Sequence, residues 1–176
     1  PDIVTMAKGL TSSYAPLGCM AVSDDIAAHF QENVFWGGLT YNAHCLGLAT
    51  AEAVLDVLAE EDLVGNSARM GEVMRGHMER MQAKHPSVRG FRCIGLFGMM
   101  DLQRDRNGTR AAPYNGASPM MKALGAFFRE NNFFTFVRWG SFMCNPPLCI
   151  TEAQLAEAFE IIDRGLSVAD AAMDDA

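Results

Sequence analysis

Lysine is scarce in this chain: only Lys8, Lys84 and Lys122 occur among 176 residues. No uncharged apolar run reaches about 18 residues, so no helix is expected to span a membrane. No basic segment followed by a hydrophobic one indicates a signal peptide. The formal net charge of −7 argues against a nucleic-acid partner, because phosphates require a basic face. What remains is typical of a globular protein long enough to bury a core.

CxxC spacing is also missing, although the chain contains five cysteines. Each cysteine lies in an apolar setting, which is typical of reduced cysteines packed as small core residues and predicts a cytoplasmic protein. The four histidines are too scattered for a metal site, and we expect none. His29, His77 and His85 are expected on helix surfaces, whereas His44 is expected to be buried and hydrogen-bonded. The first residues, PDIV, lack an initiator methionine, so we expect a fragment or a processed piece.

The first part of the chain, residues 1–61, predicts strands and helices in alternation. Residues 17–22 form an apolar run typical of a strand, and Ser23 is placed to cap a following helix. Residues 43–60 predict a helix that is apolar almost all round at its start, so it should begin buried and bridge the two halves of the chain.

The second part, residues 62–176, predicts a small α+β domain with an antiparallel sheet. Methionines at helical spacing on one face predict a core helix, which Pro86 ends. Residues 92–102 predict one strand, and Gly90, Gly95 and Gly98 are expected to mark bends or close backbone approach. Residues 134–138 and 141–145 predict two strands that turn at Gly140. Thr151 and Gln154 form the pattern of a capping box at the start of the last helix.

Lys8 is the lysine whose surroundings differ from those of a surface lysine. It follows the strand-like run IVTMA and precedes the small-residue loop GLTSS. Burial of an ammonium group lowers its pKa, which makes the neutral amine available as a nucleophile toward carbonyls. On chemistry alone, a functional lysine and a strand-end lysine whose amine reaches water both remain open.

Four motifs spread along the chain carry a resemblance to a known family. They are PDIVTMAKGL at residues 1–10, YAPLGC at residues 14–19, GGLTYNAH at residues 37–44 and NPPLCITE at residues 145–152. In this order they resemble segments of the class III aminotransferases, which are fold-type I enzymes dependent on pyridoxal 5′-phosphate (PLP). The resemblance implies that residues 1–61 form the end of the large PLP-binding domain. Residues 62–176 would form the small C-terminal domain, whose antiparallel sheet is covered by helices.

The resemblance also implies the roles of two residues in the first part. Lys8 would hold PLP as a Schiff base and would then move the proton at the substrate Cα. Thr40 matches the family threonine that reaches the cofactor phosphate of the neighbouring subunit, which implies a homodimer. Leu39 replaces a common aromatic residue, and Asn42-Ala43 replaces a frequent Ser-Gly. The phosphate loop, the ring-stacking aromatic residue and the ring-nitrogen aspartate precede the lysine in relatives, so the 176 residues alone should not catalyse.

Arg138 follows the mostly apolar run FFTFV, and its planar fork fits a carboxylate in two parallel hydrogen bonds. In relatives, an arginine in this neighbourhood binds the substrate carboxylate, and the resemblance implies that role here. A structural salt bridge is the alternative. Trp36 lines the substrate entrance or packs at the dimer interface.

The resemblance implies transfer of an amino group from an amine or ω-amino acid to a 2-oxo acid such as pyruvate, by a ping-pong mechanism. A class III aminomutase or decarboxylase would share the chemistry of Lys8. A non-catalytic interaction fragment of such an enzyme is the alternative from another class. The two kinds of protein differ in whether replacement of Lys8 abolishes function.

Overall fold

The computed structural model describes residues 1–174 and divides into two compact units, residues 1–63 and residues 64 onward. Both units combine helices with antiparallel strands, which confirms the mixed α/β and α+β fold class. Among the described residues, no helix is both long enough and apolar enough to cross a membrane.

The first unit contains two strands, one 3-10 turn and two helices. These are β1 (Ile3–Met6), the 3-10 turn Lys8–Thr11, β2 (Cys19–Val22), α1 (Asp24–Glu32) and α2 (Cys45–Glu60). The two strands pair antiparallel, with Ile3 opposite Val22. Ser23 precedes α1 in extended conformation, and two aspartates in the first turn complement the positive end of the helix dipole.

The apolar side chains of the first unit are largely exposed. Within residues 1–63, only Thr11, Gly47 and Ala51 are buried. The expectation that the strand before Lys8 and the start of α2 are buried was wrong, since β1 is exposed along its length and Leu46 is 65% exposed. A sequence pattern shows that a segment is apolar, but the segment is buried only if another surface covers it. Residues 1–63 provide little surface of that kind.

The second unit contains four strands in one antiparallel sheet and three helices. These are α3 (Leu63–Lys84), β3 (Val88–Ile94), β4 (Phe97–Leu102), α4 (Pro119–Glu130), β5 (Val137–Arg138), β6 (Ser141–Cys144) and α5 (Glu152–Ala171). The strand order is β3-β4-β6-β5. A small domain with an antiparallel sheet was predicted for this part of the chain, and this unit has that architecture.

The core of the second unit joins the three helices to one face of the sheet. Met74 and Met78 of α3, Met100 of β4, Leu124 of α4 and Leu166 of α5 are all fully buried. The methionine face of α3 is therefore core packing, as predicted. In β4 and β6 every second residue is buried, so the opposite face of the sheet remains open.

The segment 92–102 forms a hairpin and not the single strand predicted. The chain turns at Gly95, whose φ of 53° is left-handed, and Cys93 and Ile94 pair with Gly98 and Phe97. A side chain at Gly95 would be strained there, so this glycine permits the turn.

The last helix begins as predicted. Thr151 accepts a hydrogen bond from the Gln154 backbone N–H, and the Gln154 side chain accepts one from the Thr151 N–H, which confirms the capping box. The predicted apolar face is also buried, from Leu155 to Ala169.

The cysteines differ from one another in burial. Cys93 and Cys144 are buried as expected, but the expectation was wrong for the exposed Cys19, Cys45 and Cys149. Burial raises the pKa of the Cys144 thiol to about 12.

Candidate functional site

Lys8 lies where β1 ends and the 3-10 turn begins, in the first unit. Its φ of 56° is left-handed, which is uncommon for a residue with a side chain. The side chain is exposed, and among residues 1–174 its amine has no hydrogen-bond or ion-pair partner. The sequence predicted that Lys8 is buried, and this unit does not bury it. The Lys8 amine is instead exposed and has no partner among the described residues.

The turn after Lys8 is fixed by its own hydrogen bonds. Thr11 is 1% exposed, and its hydroxyl donates to the backbone carbonyl of Ala15 over 2.6 Å. The backbone N–H of Ser12 donates to the carbonyl of Gly9. A left-handed backbone at a residue with a side chain persists only where the surrounding structure maintains it.

Thr40 lies in the loop between α1 and α2, within a stretch, residues 31–46, that is exposed throughout. The Asn42 backbone N–H donates to the Leu39 carbonyl and closes a turn around Thr40. Ala43 has a φ of 54°, at a position where the resembling family often has glycine. His44 is exposed at the start of α2, so the expectation that it is buried was wrong. Trp36 is 93% exposed.

One open cavity of about 710 Å³ in the first unit is lined by residues that follow Lys8, by residues around Thr40 and by α2. The lining consists of Leu10, residues 16–19, Leu39, residues 41–43, Leu48, Ala51, Glu52, Leu55 and Asp56. Lys8 and Thr40 are neighbours of these lining residues but do not line the cavity themselves. An unengaged primary amine and an exposed hydroxyl are groups that a PLP site requires, so the residues present fit part of such a site.

Arg138 belongs to the second unit, at the end of β5 on the open face of the sheet. Its guanidinium lies 4.7 Å from the centre of the Trp139 ring and 5.7 Å from that of Phe136, which are cation–π distances. The Trp139 ring in turn contacts Tyr114, with ring centres 4.4 Å apart. Among residues 1–174 Arg138 forms no ion pair, so the alternative of a structural salt bridge has no partner there.

A cleft of about 260 Å³ surrounds Arg138, and we refer to it as the arginine cleft. Its polar lining consists of Arg92, Arg110, Arg138, Asp101 and Ser141. Arg92 and Arg110 could not be linked to Arg138 from the sequence, because they lie 46 and 28 residues before it. The pairing of the four strands brings Arg92 near Arg138, and an isolated bridge between Gln103 and Arg110 holds Arg110 beside the end of β4.

His85 is the residue whose environment differs most from expectation. It was predicted on a helix surface but is 2% exposed, with both ring nitrogens 2.6 Å from carboxylate oxygens of Asp163 and Asp170. Lys84 also donates to both oxygens of Asp163 at 2.7 Å. The hydrogen bonds from Lys84 and then His85 hold the pKa of Asp163 below its usual value. This cluster joins the end of α3 to α5.

Comparison with known proteins gives a consistent result over nearly the whole chain. The sequence profile of the family described as Aminotransferase class-III matches residues 1–166. The taurine–pyruvate aminotransferase of Bilophila wadsworthia is 31% identical over 189 aligned residues, which cover 95% of this chain and 39% of that protein. An uncharacterised aminotransferase of Sinorhizobium fredii is 36% identical over 111 residues, which cover 60% of this chain and 24% of that protein.

The solved structures include one with a matching fold and a bound cofactor. The taurine:2-oxoglutarate aminotransferase of Bifidobacterium kashiwanohense, solved with PLP and glutamate, aligns with a TM-score of 0.90 and 33% identity. The alignment covers 99% of this chain and 39% of that one. This chain therefore spans about two fifths or less of the length of the proteins it matches.

Proposed function

Since this chain belongs to the class-III aminotransferases, we propose that it contributes Lys8 to a PLP-dependent transfer of an amino group. The donor is an amine or ω-amino acid, and the acceptor is a 2-oxo acid such as pyruvate. The observation that carries the proposal is the family match over residues 1–166, with an unengaged amine at the position of the family lysine. The relatives named above are transaminases, which supports the reaction type.

Lys8 has two tasks in this proposal. Its amine would hold the cofactor covalently, and once released it would carry the proton from the substrate Cα to C4′ of the cofactor. When bound, PLP withdraws electrons from that carbon, which makes its proton acidic. The left-handed backbone at Lys8 and the hydrogen-bonded turn behind it limit the positions that the amine can reach.

Thr40 and Arg138 bind charged groups in the same proposal. The Thr40 hydroxyl donates to a phosphate oxygen of the cofactor held by the neighbouring subunit, so the active unit is a homodimer with two-fold symmetry. Arg138 binds an acid group of the substrate through two parallel hydrogen bonds. A carboxylate or a sulfonate suits it, and two relatives are named for taurine, which is a sulfonate.

The test uses the full-length protein with PLP. Borohydride reduction followed by peptide mass spectrometry should find a pyridoxyl adduct on Lys8. Lys8→Ala should remove the adduct and lower the transamination rate by at least about 10²-fold, as expected for loss of a general base. Lys122→Ala, which changes an exposed lysine of α4, is the matched control and should change neither.

A half-reaction separates the alternatives. Adding the amino donor should change the absorbance of the bound cofactor, and adding pyruvate should restore it. Release of CO₂ from the donor would favour a decarboxylase. The non-catalytic interaction fragment predicts two other results. The native protein would form no pyridoxyl adduct on Lys8, and the Lys8→Ala variant would keep its function.

A further inference from the structure

Asparagine is followed directly by glycine at two places in the second unit, Asn107-Gly108 and Asn115-Gly116. This dipeptide is chemically labile, because glycine has no side chain to keep its backbone nitrogen away from the side-chain carbon of the asparagine. Both asparagines are exposed, and among residues 1–174 neither side-chain amide forms a hydrogen bond. Exposure does not distinguish the two places, so the difference between them depends on how each glycine nitrogen is held.

The Gly108 nitrogen is held weakly. Its N–H donates to the Asp105 carbonyl at 3.4 Å, which is longer than the usual range of roughly 2.7–3.2 Å. The turn is fixed on either side of it, because Asp105 Oδ1 accepts from the N–H groups of Asn107 at 2.9 Å and Thr109 at 3.1 Å. Within the described part of the chain, a Cβ atom on Gly108 would meet only Gln103 Oε1, at 3.9 Å, so Gly108 has room to move.

The Gly116 nitrogen is held by an ordinary hydrogen bond. Its N–H donates to the Pro113 carbonyl at 3.0 Å. Gly116 also packs against the Pro113 ring so closely that a Cβ atom there would lie 2.5 Å from the ring Cγ. Attack by this nitrogen on the Asn115 side chain therefore requires that the hydrogen bond break and that Gly116 move off the ring.

The turn around Asn107 keeps its geometry at neutral and alkaline pH. Hydrogen bonds from the side chain and then the backbone of Thr109 hold the pKa of Asp105 below its usual value, so this carboxylate stays ionised and continues to accept them. The turn therefore remains folded under the conditions in which an amide nitrogen loses its proton most readily.

We propose that Asn107 is a site of spontaneous deamidation, and that the fold directs this modification to Asn107 and away from Asn115. The Gly108 nitrogen gives up its proton to water or hydroxide and bonds to Cγ of Asn107. The bond from Cγ to the side-chain nitrogen breaks, and that nitrogen takes up a proton and leaves as ammonia. Water then opens the cyclic imide at one of its two carbonyl carbons, which yields aspartate or isoaspartate. Each product adds one negative charge beside Asp105.

The first experiment compares the two asparagines in the folded full-length protein, incubated in mildly alkaline buffer. Chymotrypsin cleaves after Leu102 and Tyr114, which places Asn107 and Asn115 in separate peptides for mass spectrometry. Asn107 should deamidate at least about fivefold faster, the factor expected when one hydrogen bond protects the other site. In protein unfolded with guanidinium the two rates should become similar. Equal rates in the folded protein, or a faster reaction at Asn115, would overturn the proposal.

The second experiment follows the added charge by isoelectric focusing. The native protein should accumulate a more acidic form with time. Asn107→Gln should slow its appearance, because the longer glutamine side chain closes a ring less readily, whereas the matched control Asn115→Gln should leave it unchanged. An acidic form that appears as fast in Asn107→Gln as in the native protein would contradict the assignment. Neither experiment involves the cofactor or an amino donor, so the result is independent of the proposed function.

Discussion

Asp163 is a carboxylate of the second unit that contacts both Lys84 and His85. It accepts hydrogen bonds from Lys84 and from the buried ring of His85, and these bonds lower its pKa. A carboxylate whose pKa is lower in the folded state stabilises the fold above the unfolded pKa of about 3.9. That contribution is lost as the pH falls below this value and through the pKa of the folded state.

Asp163→Asn should therefore change the response of stability to acid. At pH 7 we expect a loss of about 1–3 kcal/mol in the free energy of unfolding, because the Lys84 ammonium loses its carboxylate and the His85 ring loses a hydrogen-bond partner. The difference should shrink as the pH falls from 5 to 3, which urea unfolding at each pH would measure. Glu160→Gln, on the exposed face of the same helix, is the control and should have little effect. A loss at Asp163 that stays constant down to pH 3 would contradict this account.

The residues singled out in the two units differ in how well the sequence predicts their surroundings. Lys8 could be singled out as a candidate because its flanking motif is local and continuous. His85 could not, because its partners Asp163 and Asp170 lie 78 and 85 residues away and only the packing of α5 against the end of α3 brings them together. Arg110 escaped notice for the same reason, since it lies outside the strands that supply the other polar residues of the cleft.

At the scale of elements, two of the three glycines of α3 have opposite surroundings. A Cβ atom on Gly71 would lie 2.5 Å from the Cα of Gly95, in the backbone of the β3–β4 turn. A Cβ atom on Gly76 would meet only the end of the Arg80 side chain, at 3.8 Å. One glycine permits close packing, whereas the other only lowers helix propensity.

Alanine substitutions at these two positions should have opposite signs. Gly71→Ala should destabilise the fold by about 1–3 kcal/mol, because a backbone turn has to move. Gly76→Ala should stabilise it by up to about 1 kcal/mol through helix propensity. Thermal unfolding followed by circular dichroism measures both, and each variant is the control for the other. Destabilisation by Gly76→Ala would show that this position is also packed.

Elements were predictable where local signals were complete. The last helix has both a capping box and a 3.6-residue apolar face, and both are present in the structure. The β3–β4 hairpin was predicted as one strand with a bend at Gly95. The bend is present, but periodicity does not tell a bend in a strand from a reversal of the chain. The exposure of α2 was missed because an apolar sequence does not identify the surface that covers it.

At the scale of the whole molecule, the proposed homodimer makes a prediction about mixed subunits. If Thr40 serves the cofactor of its neighbour, each site uses Lys8 from one subunit and Thr40 from the other. A heterodimer of Lys8→Ala and Thr40→Ala subunits then contains one site with both native residues and one site with neither.

Co-expression of the two variants with different affinity tags should therefore recover activity. Tandem-purified heterodimer should have about half the activity of the native dimer, whereas each variant alone should be strongly impaired. Native mass spectrometry would verify the composition. If Thr40 acts within its own subunit, every site carries one lesion and no recovery occurs. A monomeric protein would contradict the dimer itself.

Family and fold class could be predicted from the sequence because the four motifs are distributed from one end of the chain to the other. The profile match over residues 1–166 and the TM-score of 0.90 agree with them. The environment of Lys8 could not be predicted, because a motif specifies which residue is present and not which surfaces surround it.

The contact of Trp139 with Tyr114 and Arg138 has a spectroscopic consequence. The chain has two tryptophans. The other one, Trp36, is 93% exposed, so its indole fluoresces in a solvent environment. Replacing Trp36 with phenylalanine leaves Trp139 as the only indole fluorophore of the chain. An anion that draws the Arg138 guanidinium off that ring changes its emission, so occupancy of the cleft becomes an optical signal that needs no label.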